Sequence, residues 1–162
     1  MPSKPEWLSE MLNVRQPWDI LLTTFYHIFY NDFVLQTPFF DGKLISWDER
    51  ILDGIYPEGF WHLITRDDIN HGRIPDYRRS ERLPRCAPTI LHNQDQATTV
   101  WDYRESNGVI RTYLWLEDWD YVIVLQRPSS ETLHRVRLIT AFHVDGESRR
   151  RDLRRKRNQC LL

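Results

Sequence analysis

The sequence predicts an α+β fold: N-terminal helices packed on a four-stranded antiparallel sheet, followed by a basic C-terminal helix. Three observations carry that expectation. Trp18, Leu21, Leu22, Phe25, Phe29 and Phe33 fall on one helical stripe near the start. Four runs rich in β-branched and aromatic residues occupy the second half, joined by short connections. The chain then closes on ESRRRDLRRKR, a charged run that reads as a helix.

Taken in order, Pro17 stands where a first helical residue would, and Asp19 lies in the first turn, so residues 17–33 read as an amphipathic core helix. Residues 34–58 are mixed, with Pro38, Gly42, Gly54 and Pro57 as punctuation. The segment FWHLI, residues 60–64, reads as a short strand, and 65–74 as a polar loop. Pro75 opens the helix PDYRRSERL, which Pro84 and Pro88 bend or restart, so residues 60–95 hold a histidine-bearing strand and an arginine-rich helix. An antiparallel meander spans 98–144: Thr98–Tyr103, Arg111–Leu116, Tyr121–Leu125 and Arg135–Val144. Its connections contain Ser106-Asn107-Gly108, Glu117–Asp120 and Pro128–Ser130, short enough to require hairpins. The runs 111–116 and 121–125 are apolar on both faces, as central strands are. Residues 147–157 form the closing basic helix. No repeat or low-complexity linker interrupts the chain, and residues 1–162 read as one domain.

Composition narrows the function classes. The chain is 41% hydrophobic and carries 7 Trp, 7 Tyr and 7 Phe, too apolar for a disordered chain. Its apolar stretches are far short of a membrane span, and MPSKPEWLSE lacks the apolar run of a signal peptide, so a cytoplasmic protein with no membrane association is expected. Two cysteines, Cys86 and Cys160, build neither a disulfide framework nor a zinc cluster. There is no GxGxxG, Walker loop, HExxH or GxSxG, and no cofactor or metal is expected. The net charge of -1 hides an asymmetry. Residues 1–60 carry four basic groups against nine acidic ones, whereas 134–162 carry nine basic against three acidic. Arginine outnumbers lysine, and its planar fork pairs with phosphate and stacks on bases. A basic end on a neutral chain points to a polyanion partner; a solvated terminal helix balancing the acidic front is the plain alternative.

Three groups of residues can carry chemistry. His62 in FWHLI can serve in proton transfer; a half-buried structural histidine is the alternative. Arg78, Arg82 and Arg85 stand at i, i+4 and i+7, one face of a continuous helix, with Arg79 beside them; they form either a phosphate clamp or a salt-bridge ladder with Glu81 and Asp76. In RVRLITAFHV, strict alternation puts Val136, Leu138, Thr140, Phe142 and Val144 on one face, which by composition is core. Arg135, Arg137, Ile139, Ala141 and His143 then share the other, a candidate RNA surface, unless a β-bulge changes the assignment.

The order of GFWHLITR, PDYRRSERLP, RTYLWLEDWDYVIVLQRP, RVRLITAFHV and a basic terminal helix resembles the bacterial and phage-associated branch of the barnase–EndoU–colicin–RelE group of small ribonucleases, over roughly residues 40–157. The resemblance implies helices packed on a four-stranded antiparallel sheet, metal-independent cleavage of RNA, and a toxin- or effector-like role checked by an antitoxin or immunity protein. In that chemistry a base deprotonates the ribose 2′-OH, which attacks phosphorus and leaves a 2′,3′-cyclic phosphate. The expected catalytic residues are His62 for proton transfer and Arg78 and Arg82 for charge. Thr140 matches the position where the group often places a hydroxyl, although alternation puts it in the core. Lys43, Arg79, Arg85, Arg137 and His143 are the expected RNA contacts. A non-enzymatic adaptor that holds nucleic acid or an acidic protein through the arginine-rich C-terminal helix is the competing expectation.

Overall fold

The computed structural model describes residues 2–128 and 134–161. Helix α1, Trp18–Phe29, starts behind Pro17 and buries Leu21, Phe25 and Phe29, then continues as a π-helical turn, Tyr30–Leu35, that buries Phe33. The stripe read from the sequence is therefore the face that meets the core. The helix ends where Thr37 turns its hydroxyl back to the Phe33 carbonyl at 2.6 Å, ahead of Pro38.

The sheet contains the expected meander and goes beyond it. Strands β5 (Thr99–Arg104), β6 (Ile110–Leu116), β7 (Tyr121–Gln126) and β8 (Arg135–His143) pair antiparallel in sequence order. Two further strands, β1 (Phe39–Phe40) and β2 (Lys43–Ser46), extend it into a six-stranded mixed sheet, ordered β1-β2-β8-β7-β6-β5 and curled into a half-barrel. Strand β2 runs parallel to β8, with Ile45 opposite Val136. The four-stranded sheet expected from sequence is thus corrected to six. The overlooked signal is local: Asp41 and Gly42 both take positive φ, 53° and 75°, the two-residue hairpin turn that an Asp-Gly pair favours. The expected Pro128–Ser130 connection runs into residues 129–133, outside the described residues.

Two more expectations are overturned. FWHLI is not a strand: Glu58–Trp61 forms helix α2, capped at His62. Phe60, Leu63 and Ile64 are all fully buried, and their i, i+3, i+4 spacing suits a helical turn, not alternation. The polar loop 65–74 is a separate hairpin, β3 (Thr65–Asp68) and β4 (Gly72–Pro75). At its tip Asp68 accepts from the Asn70 amide at 3.1 Å and from His71 Nδ1 at 2.7 Å. The arginine-rich helix is not continuous either. It divides into α3 (Tyr77–Ser80), a 3-10 turn (Leu83–Arg85) and α4 (Cys86–Leu91), broken where Pro84 removes a backbone donor.

One sheet face packs on α1, α2 and α4 around Phe25, Phe29, Phe60, Ile123 and Leu138. The other face is covered only in part. Helix α5, Gly146–Asn158, lays Leu153 over Trp101, Tyr113, Trp115, Val122 and Val124. Toward the open edge of this face, Arg111, Gln126, Arg137 and Ser46 stand in one row across β6, β7, β8 and β2. Among the described residues no helix is long and apolar enough to cross a membrane.

Candidate functional site

The site begins at an irregularity in β8. Leu125 pairs with Leu138 and Val124 with Thr140, so Ile139 is an extra residue. This bulge reverses the alternation after it. Val136 and Leu138 face the helix-covered core, where Ala141 then takes its place. Thr140, opposite Val124, and Phe142, opposite Val122, turn to the other face. The expectation that Thr140 is a core residue is therefore corrected: it is half-buried and stands on the partly open face.

Thr140 is tied to two other elements. Its hydroxyl donates to the His62 carbonyl at 3.0 Å and accepts from Arg79 Nη1 at 3.2 Å. Arg79 Nη1 also reaches the His62 carbonyl at 2.8 Å. Asp76, the N-cap of α3, accepts from the Arg79 amide at 2.9 Å and lies 3.5 Å from its Nε. Burial lowers the pKa of the Arg79 guanidinium from its ordinary value, with Asp76 opposing. Its carbon stands 5.8 Å from the centre of the Phe142 ring, and that of Arg149, from α5, 5.2 Å from the same ring.

Between α3, the β3–β4 hairpin and the start of α5 opens a cleft of about 630 Å³ whose walls set Arg66, Arg78, Arg79, Arg149 and His143 beside the carboxylates of Asp67, Asp76 and Asp145. His143 sits at the end of β8. Burial holds its pKa below the ordinary histidine value, helped by the charges of Arg82 and Arg78. The ring is thus neutral near pH 7 and able to accept a proton.

The remaining candidates divide. Arg78 is exposed and lines the cleft. Arg82 does not: it is buried, donating to the Arg78 carbonyl at 2.9 Å and to Glu81 at 2.6 Å. Arg85 is buried as well and donates to the Ser9 carbonyl at 2.8 Å, pinning the N-terminal segment. The shared face of Arg78, Arg82 and Arg85 is thereby overturned, because the helix that would align them ends at Ser80 and the chain resumes at Leu83 as a 3-10 turn. Lys43 shares the face of Ile45 on β2, the helix-covered side, and stays away from the cleft. Arg137 lies on the open face, 3.6 Å from Asp48. The His62 ring is half-buried among the charges of Arg73, Glu58 and Asp48; burial first and then Arg73 lower its pKa, and the two carboxylates oppose. What His62 brings to Thr140 and Arg79 is its carbonyl.

The sequence places Arg149 only among the tail arginines, with Arg150, Arg151 and Arg154, through which an adaptor would hold its partner. Five of the neighbours of Arg149 on α5 pair with carboxylates: Arg150 with Asp120, Arg154 and Arg157 with Glu117, Arg155 with Asp152, and Lys156 with Glu105, whereas Arg151 is exposed and has no such partner among the described residues. Arg149 has no such partner among the described residues and leans over Phe142 instead. Only the helical phase of α5 against β8 reveals this. Among the described residues no three His, Cys, Asp or Glu side chains converge as a metal-donor set. No protein-family model, curated protein or solved structure matches this chain.

Proposed function

We propose that this protein is a metal-independent endoribonuclease that cleaves RNA by 2′-OH attack in the cleft between α3 and α5. The observation that carries the reading is the placement of Arg79 and Arg149 on one ring, Phe142, at a cleft that also holds His143. Neutral His143 takes the proton of the ribose 2′-OH. The freed oxygen attacks phosphorus, the bond to the 5′-oxygen breaks, and the leaving oxygen takes a proton from water in the open cleft. The guanidinium groups of Arg79 and Arg149, with Arg78 at the rim, offset the charge that grows on the phosphorane. The 2′,3′-cyclic phosphate follows because the nucleophile belongs to the substrate. A toxin- or effector-like role, held in check by an antitoxin or immunity protein that covers the cleft, accompanies this reading, in line with the resemblance to the small-ribonuclease group.

The adaptor reading has less support, since it needs free charges on α5 and most of them are held in ion pairs. The deciding experiment incubates purified protein with total RNA in excess EDTA and identifies the fragment ends. Cyclic phosphate ends are expected, with cleavage by His143→Ala slower by roughly 10²–10⁴-fold. Intact RNA, or wild-type cleavage by His143→Ala, overturns the assignment.

A further inference from the structure

A second cavity of about 370 Å³ lies beneath α5 and adjoins the cleft at Phe142 and Arg149. We infer that this second cavity receives an unstacked nucleobase of single-stranded RNA, beside the phosphate held in the first. This rests on the ribonuclease reading and adds that base identity, not charge alone, selects where the chain is cut.

The two cavities share Phe142 and Arg149 and otherwise differ in chemistry. The first is charged, with four arginines and His143 set against Asp67, Asp76 and Asp145. The second has apolar walls, Val124 on β7 and Leu153 on α5, and a rim of amide, hydroxyl and guanidinium groups from Asn107, Ser106 and Arg111. Apolar walls with a polar rim suit a base, whose faces are apolar and whose edge carries donors and acceptors. Two rim groups await a ligand. Arg111 Nε is buried without a hydrogen-bond partner among the described residues, a costly state that an acceptor on a base edge would relieve. Asn107 Oδ1 accepts from the Val109 amide at 3.0 Å, which orients the side chain while its Nδ2 has no partner among the described residues.

Two acidic groups line this cavity, and both are balanced: Asp152 pairs with Arg155 at 2.7 Å. Glu105 accepts from the Tyr113 hydroxyl, and Lys156 lies 3.4 Å from its other oxygen. The carboxylates therefore do not repel an RNA strand, and Lys156 is not free to act as a bare anion trap. Spacing also fits. Tyr113, Val124 and Thr140 are register partners on three successive strands, so the far wall stands about 10 Å from Thr140, within one nucleotide of the phosphate site.

The test measures equilibrium binding of the four nucleoside 5′-monophosphates and of ribose 5-phosphate, which carries phosphate and sugar without a base, by calorimetry. At least one nucleotide is expected to bind 10-fold or more tightly than ribose 5-phosphate. Arg111→Gln and Asn107→Ala are expected to erase that advantage and leave ribose 5-phosphate binding unchanged. Asn107 sits in an exposed turn, so its variant tests the idea even where Arg111→Gln disturbs the sheet. Equal affinity for all five ligands, no binding of any, or a base preference that survives both substitutions overturns the inference. The two proposals fail separately. Intact RNA with a retained base preference removes the ribonuclease reading and leaves the base site, whereas cleavage with no base preference does the reverse.

Discussion

Arg79 donates to the hydroxyl of Thr140 across 3.2 Å, joining positions 61 residues apart in the chain. Both also reach the carbonyl of His62, at 2.8 and 3.0 Å. The triangle ties the end of α2, the helix α3 and the bulged part of β8 into one wall of the cleft. Thr140→Val removes the hydroxyl and keeps the shape. It is expected to cost about 1 kcal/mol in urea denaturation, as the loss of a half-buried hydrogen bond does. Thr140→Ser should recover most of that loss, and equal stability of the valine and serine variants would refute the role of the hydroxyl.

The position of α2 depends on Gly59. A Cβ placed there would lie 2.7 Å from the Cβ of Trp47, which cannot swing away as a side-chain tip can. Gly59→Ala is expected to destabilise the fold by about 1–3 kcal/mol, the usual cost of overpacking. Because α2 carries His62, its amide and carbonyl neighbours should also show chemical-shift changes in NMR. An unchanged melting temperature would mean that Trp47 yields.

The Asp48 carboxyl is held at about 2, below the usual range, chiefly by the hydrogen bond from Arg50 and further by the charge of Arg137. A folded-state pKa below the unfolded one means stability that is present above about pH 4 and lost as pH falls through about 2. The melting temperature should therefore fall between pH 4 and 2, and Asp48→Asn should flatten that part of the curve. Parallel curves for the two proteins would remove Asp48 from the acid transition.

If His143 is the base of the proposed cleavage, the acid limb of its rate profile lies below the ordinary histidine pKa. Arg78 contributes to that lowering, so Arg78→Ala should move the limb to higher pH as well as weaken RNA binding. Cleavage rates from pH 4 to 8 check the sign. A limb that stays in place would separate Arg78 from His143.

Arg85 was read from sequence as an RNA contact, but its Nε holds the Ser9 carbonyl. Arg85→Ala is expected to release the N-terminal segment, seen as faster proteolytic cutting before Pro17, and to destabilise the fold by about 1–3 kcal/mol through the unpaired carbonyl. RNA affinity measured on the folded fraction should not change. A specific loss of affinity would restore the RNA-contact assignment.

The meander, α1 and α5 were legible in the chain itself because their patterns are local. The stripe from Trp18 to Phe33 needs only the helical repeat, and the runs from Thr99 to His143 need only β-branched residues between short turns. The hairpin at Asp41-Gly42 escaped because its strands are too short for alternation to reveal, although the Asp-Gly pair is itself a local turn signal. What only the tertiary structure decided is how these elements face one another. Whether Thr140 belongs to the core or to the cleft depends on one extra residue, Ile139, and on which residues of β7 lie opposite. The alternation of β8 alone does not contain that register. Whether Arg79 or Arg82 enters the cleft depends on the end of α3 at Ser80, between them, and on the carboxylates and carbonyls that reach each guanidinium. A side chain's direction is set by its own backbone, but what it meets there is set by segments far away in sequence. The site is therefore a property of the fold, whereas the strands and helices that build it are written along the chain.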